Sequence, residues 1–247
     1  MNPTPATPRF HLGIVTGLGY EAAIAEEAIR SATAPPGDDR VTATCHGPGQ
    51  ARARSAAEAL VDIGANALLS FGVAGGCNPD LPSGTVILAT GIRDISSGGG
   101  GDILYTNRGW QRRIKSLLLG NVLLEDALLA SVSTPITDST SKRQLFHDLG
   151  VAAVDMESAA AARVAIDAGI PFMALRVIVD TADTTLPAAA LAGMSPDGTV
   201  RTGPIVQAIL RRPQDIPGLV GIAMADSKAR KSLKRSAAVA APLFGGV

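Results

Sequence analysis

Short apolar runs alternate with alanine-rich amphipathic segments along most of this chain. Runs rich in apolar or β-branched residues predict strands, and apolar residues repeating every three or four positions predict helices between them. The first predicted strands are residues 10–16, 40–45, 65–71 and 85–89, with helices at 21–31 and 50–63. Because strands alternate with helices, the pattern favours an α/β fold in which helices cover both faces of a largely parallel or mixed sheet.

The rest of the chain continues this alternation less regularly. Helices are predicted at residues 110–119, 141–149, 156–168, 206–210 and 219–235, and strands at 131–136, 152–154 and 171–179. Residues 121–129 do not distinguish a helix from a strand. Two glycine-rich segments, residues 72–76 and 96–101, are predicted to form a turn and a surface loop.

Domain organisation follows from the absence of repeats and linkers in the sequence. Residues 10–247 are predicted to form a single domain. The proline- and threonine-rich residues 1–9 have no apolar signal core and are expected to be a disordered leader. The longest uncharged stretch, residues 63–79, holds too many polar residues and glycines to span a membrane.

Composition then narrows the function classes. Of the 247 residues, 46% are hydrophobic, which is enough for a full core. The 22 basic and 22 acidic residues balance, and only 3% are aromatic, so no nucleic acid partner is expected. Two cysteines and three scattered histidines favour neither a disulfide framework nor a metal site. The expected compartment is a reducing cytoplasm.

Candidate chemistry lies in the acidic residues that follow predicted strands. Glu21, Glu157 and Asp180 each come shortly after a strand, where ligands bind in sheets of this kind. A carboxylate at such a position can also serve only to stabilise a helix N-terminus, and for Asp155 that interpretation is at least as good. The pattern predicts a cleft in which one carboxylate holds a sugar and another protonates a leaving group.

Four motifs together resemble the purine nucleoside phosphorylase and nucleosidase superfamily over about residues 12–187. They are Glu21, Ala74-Gly75-Gly76, Val154-Asp155-Met156-Glu157 and Arg176-x-Ile178-x-Asp180. The resemblance implies a nucleoside phosphorylase-like α/β fold, with three layers, α/β/α, around a central mixed, twisted sheet. It further implies an enzyme that cleaves N-glycosidic bonds. It also implies a homodimer, since members of the superfamily are usually dimers or larger assemblies.

The resemblance assigns roles to these residues. Asp180 would protonate N7 of a departing purine, and Met156 and Glu157 would hold the ribose. Glu21, with Arg176, would activate a water molecule as in the nucleosidases. Burial of Asp180 among apolar neighbours of the preceding strand is expected to keep a proton on it near neutrality.

The nucleophile stays open between water and phosphate. Val73 stands where the nucleosidases carry a serine, so one polar contact is lost. The loops that contain Gly17, Gly19, Val73 and Gly75 are predicted to contact the substrate or an anion, and the backbone N–H groups of Gly17, Gly19 and the loop 47–49 could be offered to that anion. Inorganic phosphate is therefore considered as a co-substrate, and no other cofactor or metal is expected.

A narrower resemblance, to the hopanoid-associated phosphorylase subgroup, comes from motifs at residues 155–158, 180–183, 186–187, 194–198 and 210–213. It implies release of adenine from adenosylhopane in hopanoid biosynthesis, giving ribosylhopane or its phosphate. One alternative is a nucleosidase or phosphorylase for soluble nucleosides such as methylthioadenosine or S-adenosylhomocysteine. Another is a non-catalytic nucleoside-binding module.

The C-terminal segment is basic. Residues 201–235 contain eight basic and two acidic residues, with a partial apolar stripe that includes Leu219, Ile222 and Leu233. A basic amphipathic helix can lie on an anionic membrane surface, although an ordinary surface helix has the same pattern. Peripheral contact with the inner face of the membrane is therefore an alternative to a purely cytoplasmic location.

Overall fold

The computed structural model describes residues 10–32, 40–96, 101–187 and 216–241. Its strands are β1 (His11–Thr16), β2 (Arg40–Cys45), β3 (Ala67–Gly76), β4 (Val86–Asp94), β5 (Ile103–Tyr105), β6 (Leu124–Ser131), β7 (Val151–Asp155) and β8 (Phe172–Ile178). Its helices are α1 (Gly19–Ser31), α2 (Gln50–Asp62), α3 (Arg108–Leu118), α4 (Ser139–Leu149), α5 (Ser158–Asp167) and α6 (Ile216–Ala240). The predicted leader, helix 206–210, motifs 194–198 and 210–213, and residues 97–100 lie outside the described residues.

The described strands form one mixed sheet that closes partly on itself. β1 pairs in parallel with β2 on one side and with β3 on the other. β3 then pairs in parallel with β8, β8 antiparallel with β4, β4 in parallel with β6, and β6 in parallel with β7. Gly75 and Gly76 at the end of β3 pair antiparallel with β7 and close this ring of five strands. The mixed sheet is confirmed, whereas its closure was not predicted.

Helices cover both faces of the sheet. On one face, α2 and α5 pack together through small residues such as Ala57 and Ala161. On the other face, α1, α3 and α6 bury Ile24, Trp110 and Leu233 in a second core. α4 packs on β7 over a smaller third cluster. The predicted three-layer α/β fold class is therefore confirmed.

Several predicted boundaries are wrong, and three of them concern segments at the ends of strands. The glycine segment 72–76, predicted as a turn, is the last half of β3. Met156 and Glu157 were placed in a helix, yet α5 begins at Ser158, because the Asp155 carboxylate accepts the backbone N–H groups of Glu157 and Ser158. The strand predicted at 131–136 ends at Ser131, which is the last residue of β6.

The basic C-terminal helix is longer than predicted, and its second half packs on the core. The second half of α6 buries Ala229, Leu233 and Ala237 against the rest of the domain, so this part of the apolar stripe faces protein. Apolar side chains near its beginning, Val220 and Met224, are exposed. Within the described part of the chain, no helix combines the length and the apolar character needed to cross a membrane.

Candidate active site

A cavity of about 650 Å³ opens at the carboxyl ends of β1, β3, β7 and β8. Each of these strands contributes a short segment to its wall, so residues far apart in the sequence meet here. The predicted site residues that line it are Gly17, Glu21, Val73, Gly75, Met156, Glu157 and Asp180. Arg176 is 1% exposed and lies behind the wall, and Gly19 is an exposed first residue of α1 outside the lining.

Glu21 is fixed between two strand ends. Its Oε2 accepts the backbone N–H groups of Gly17 and Leu18, both at 2.9 Å, and its Oε1 accepts that of Val73 at 2.8 Å. Burial raises the pKa of Glu21 from its ordinary 4.5 to about 7, with Arg176 opposing this effect and Glu157 adding to it. A carboxylate poised near neutrality suits a general base.

The position of β3 beside Glu21 requires glycine for a steric reason. A Cβ atom on Gly72 would lie 2.5 Å from Oε1 of Glu21, so only glycine leaves room for the carboxylate. This close approach explains why the glycine-rich segment occurs inside a strand.

Arg176 organises the buried charges beneath the cavity. Its Nε lies 2.9 Å from Oδ2 of Asp155, and its Nη2 lies 3.4 Å from Oε2 of Glu157. Nη2 also donates to Oγ of Ser70 at 2.7 Å. Burial works against the charged guanidinium, yet the surrounding carboxylates, first Asp155 and Glu157, raise the pKa of Arg176 above its ordinary value. Arg176 therefore holds the acids in place from behind and does not reach the cavity.

Glu157 faces the cavity from the bend after β7. Its Oε1 accepts the backbone N–H of Gly49 at 3.0 Å, and a Cβ on Gly17 would lie only 2.9 Å from the same oxygen. Burial raises the pKa of Glu157, and Arg176 opposes that effect. Met156 lines the cavity next to Glu157. This pair is placed where a carboxylate and a flexible apolar side chain could contact one sugar.

Asp180 has a partner that the sequence analysis missed. Its Oδ2 forms an ion pair with Nζ of Lys142, a fully buried lysine of α4. The surroundings of Asp180 are therefore not the purely apolar ones expected from the residues of β8. A signal was present in the sequence, because Lys142 precedes Leu145, Phe146 and Leu149 at the spacing of one helical face.

The first turns of α6 close one side of the cavity. Leu219 and Ile222 line this side, and Leu186 and Ile136 continue the apolar surface. The helix is held to α1, because the guanidinium of Arg230 lies 3.5 Å from the centroid of the Tyr20 ring. The cavity therefore has charged side chains at the strand ends, and the side formed by α6 is apolar apart from Asp226 and Arg230.

Comparison with known proteins gives a consistent picture of the fold. The sequence model of the Phosphorylase superfamily matches residues 12–211. The structure is similar to a putative 5′-methylthioadenosine/S-adenosylhomocysteine nucleosidase from Francisella philomiragia, with 19% identity, a TM-score of 0.68, and coverage of 96% of this chain and 99% of that one. It is also similar to futalosine hydrolase of Helicobacter pylori, with 19% identity, a TM-score of 0.63, and coverage of 87% and 97%.

A third similar structure is the 5′-methylthioadenosine/S-adenosylhomocysteine nucleosidase of Helicobacter pylori, with 20% identity, a TM-score of 0.63, and coverage of 85% and 99%. At these identities the likeness establishes the fold alone. No curated protein sequence matches significantly.

Proposed function

This chain belongs to the phosphorylase superfamily of enzymes that act on nucleosides, and we propose that it releases a purine base from ribose by hydrolysis. The proposal depends on one observation: the group of backbone N–H donors at the ends of β1 and β3 is already occupied by the carboxylate of Glu21. A phosphate ion would need these donors. A water molecule needs only a base, which Glu21 supplies.

Among the described residues that line the cavity, the cation is Arg230, and it is already paired with Asp226. A second anion there would lie next to two buried carboxylates, Glu21 and Glu157, and like charges at short range repel strongly in a buried site. Arg176 is already paired with acids and is 1% exposed. The electrostatics therefore favour a neutral nucleophile over an anionic one.

The proposed reaction divides the work among three carboxyl groups. A water molecule attacks C1′ of the ribose and gives a proton to Glu21 as the bond from C1′ to N9 breaks. Asp180 has to take up a proton from solvent before this step; the bonding electrons then leave with the purine, and Asp180 gives that proton to N7. Glu157 accepts hydrogen bonds from the ribose hydroxyls and stabilises the positive charge that develops on the sugar.

The substrate proposed is an adenine nucleoside with a large apolar group on the ribose. The apolar surface formed by α6 and by the segment after β6 is suited to such a group, since it provides few polar partners for a soluble one. Adenosylhopane, which the narrower sequence resemblance implies, has this chemistry. The product of hydrolysis would be ribosylhopane and adenine.

A second candidate is a nucleosidase for small soluble nucleosides. It is favoured by the similarity to structures whose names include 5′-methylthioadenosine/S-adenosylhomocysteine nucleosidase. The two candidates share the site chemistry and differ in what fills the apolar end of the cavity.

One experiment tests both the nucleophile and the substrate. Adenine release is measured from adenosylhopane and from methylthioadenosine, each with and without inorganic phosphate, and the sugar product is identified by mass spectrometry. Hydrolysis predicts equal rates in both conditions and a free sugar that carries oxygen-18 from labelled water. A sugar 1-phosphate and a strict requirement for phosphate would refute hydrolysis.

Asp180→Asn is the matched variant for this assay. It should lose most adenine release, because the amide cannot give up a proton. Circular dichroism should show that the fold is kept. Wild-type turnover in that variant would refute the role of Asp180. Failure of the wild type on both substrates would favour a non-catalytic nucleoside-binding module.

We further propose that the beginning of α6 contacts the membrane and brings the site to a lipid substrate. Met224 is 70% exposed, and the exposed Lys228 and Lys231 follow one and two turns later. Vesicles containing anionic lipid should bind the wild type more tightly than Met224→Ser, and equal flotation would contradict the idea. Assembly as a homodimer remains a prediction that sedimentation equilibrium can test.

A further inference from the structure

Lys142 is a buried cation that the proposed reaction does not yet use. It lies on α4 with 0% of its side chain exposed, behind the wall of the cavity. Its ammonium contacts Oδ2 of Asp180 and donates to the backbone carbonyl oxygens of Thr181, at 3.3 Å, and Thr184, at 2.7 Å. Three acceptors thus match the three N–H bonds of the ammonium.

Burying a lysine in this way costs free energy unless the charge is fully paired and hydrogen-bonded. A neutral side chain of similar length would fill the same space at lower cost. The partners of Lys142 all belong to the segment that follows β8, which carries Asp180. The cation therefore fixes one carboxyl group and the loop around it.

Other ionisable groups near this pair do not replace Lys142. Burial raises the pKa of the Cys77 thiol to about 12, so it stays neutral. Asp138 is exposed and accepts the backbone N–H of Ser141 at the start of α4. Arg143 pairs with Asp183 at the surface, where both side chains are 58% exposed. Among the described residues, Lys142 is the one cation within ion-pair distance of Asp180.

We propose that Lys142 is a positioning residue that promotes departure of the base through Asp180. When Asp180 gives its proton to N7, a carboxylate is left behind, and the adjacent ammonium stabilises that negative charge. The proton moves from the Asp180 carboxyl to N7, the electron pair of the glycosidic bond leaves with the purine, and Lys142 keeps its own proton. This inference rests on the proposed function and adds a residue outside the cavity to it.

The test is a cycle of four proteins: wild type, Lys142→Met, Asp180→Asn and the double variant. If Lys142 acts through Asp180, Lys142→Met should lower kcat for adenine release about 10- to 100-fold, part of the range that general acid catalysis supplies. The same substitution should cost less than about twofold in the Asp180→Asn background, because the group it acts on is gone. A similar loss in both backgrounds would overturn the proposal.

A second substrate separates chemistry from folding. A 4-nitrophenyl riboside has a leaving group that needs no proton, so Lys142→Met should cleave it at close to the wild-type rate. If this substrate loses as much rate as the adenine nucleoside, Lys142 is structural and the proposal fails. Should Lys142→Met not fold, the comparison of Asp180→Asn with the double variant still decides.

The pH profile gives an independent readout. Removing the cation that contacts Asp180 should change the pH profile of kcat/KM for the adenine nucleoside. Lys115→Met is the matched control, since Lys115 forms an ion pair with Asp126 outside the cavity lining, and its profile should equal that of the wild type. A wild-type profile in Lys142→Met would overturn the proposal. A wild type that releases no adenine would instead refute the proposed function, and this inference with it.

Discussion

Glutamine in place of Glu21 removes the charge of the proposed base and keeps the shape of its side chain. The carboxylate now accepts three backbone N–H groups, two at Oε2 and one at Oε1. The amide oxygen of glutamine can accept the pair from Gly17 and Leu18. Its NH2 group then faces the N–H of Val73, so one donor loses its acceptor.

The effect on catalysis follows from the lost base. General base catalysis contributes about 10²- to 10⁴-fold, which corresponds to about 3–5.5 kcal/mol of transition-state stabilisation. Because the pKa of Glu21 is raised to about 7, kcat/KM of the wild type should rise through pH 7 as the carboxylate ionises. Glu21→Gln should lose this rise together with the rate.

Stability should respond to pH in a defined direction. The folded-state pKa of Glu21 is raised from 4.5 to about 7, so its contribution to stability is present below pH 4.5 and is lost as pH rises through 7. At about 1.36 kcal/mol per pH unit, the wild type should lose about 2–3 kcal/mol between pH 5 and pH 8 from this group. Glu21→Gln lacks that loss, whereas its unpaired N–H costs about 1–3 kcal/mol at every pH.

The assay is adenine release between pH 5 and pH 9, with urea unfolding at pH 5 and pH 8. Glu26→Gln is the control, because Glu26 lies on the same helix, is exposed and pairs only at the surface with Arg30. It should match the wild type in both measurements. A rate for Glu21→Gln within threefold of the wild type, with the same pH profile, would refute Glu21 as the base. A stability difference between the two proteins that does not change with pH would refute the pKa argument.

Three further substitutions test the charge cluster. Arg176→Met should destabilise the fold by about 3–5 kcal/mol, and more at high pH, because it leaves buried carboxylates without their cation. Urea unfolding at two pH values measures this loss, and an unchanged midpoint would contradict it. Gly72→Ala should displace Glu21 and lower kcat at least tenfold, while the thermal midpoint stays within a few degrees of the wild-type value. A wild-type kcat would contradict the steric argument. Glu157→Gln should lower kcat/KM about 100-fold for ribosides, and a smaller effect for 2′,3′-dideoxyribosides is expected in the same assay.

The alternation of apolar runs was enough to predict the fold class. β2 was predicted at its observed bounds, and β1 and β8 to within two residues, because each is a short run of β-branched and apolar residues between turn signals. The closure of β3 onto β7 could not be predicted in this way. It depends on pairing between Gly75 and Val154, and glycines have no side-chain pattern that reveals a partner.

The acidic residues could be predicted because they follow strands, whereas the groups that bind them could not be predicted. Glu21 and Asp180 line the cavity as predicted from the strand ends. The donors to Glu21 are backbone groups, which every residue has, so the sequence could not single them out. Lys142 lies on a helix 38 residues before its partner, and only its position on the apolar face of α4 distinguishes it from a surface lysine.

The ring of strands also bears on how activity is acquired during folding. Its pairing of β3 with β7 joins residues about 80 positions apart and its pairing of β3 with β8 joins residues about 100 positions apart, and contacts of such long sequence separation slow folding. Glu157 follows β7 and Asp180 follows β8, so the two acids reach their places only when these long-range pairings are made. A partly folded chain can therefore contain most of its helices and still lack an active site. In refolding, enzyme activity should return after helical circular dichroism has recovered.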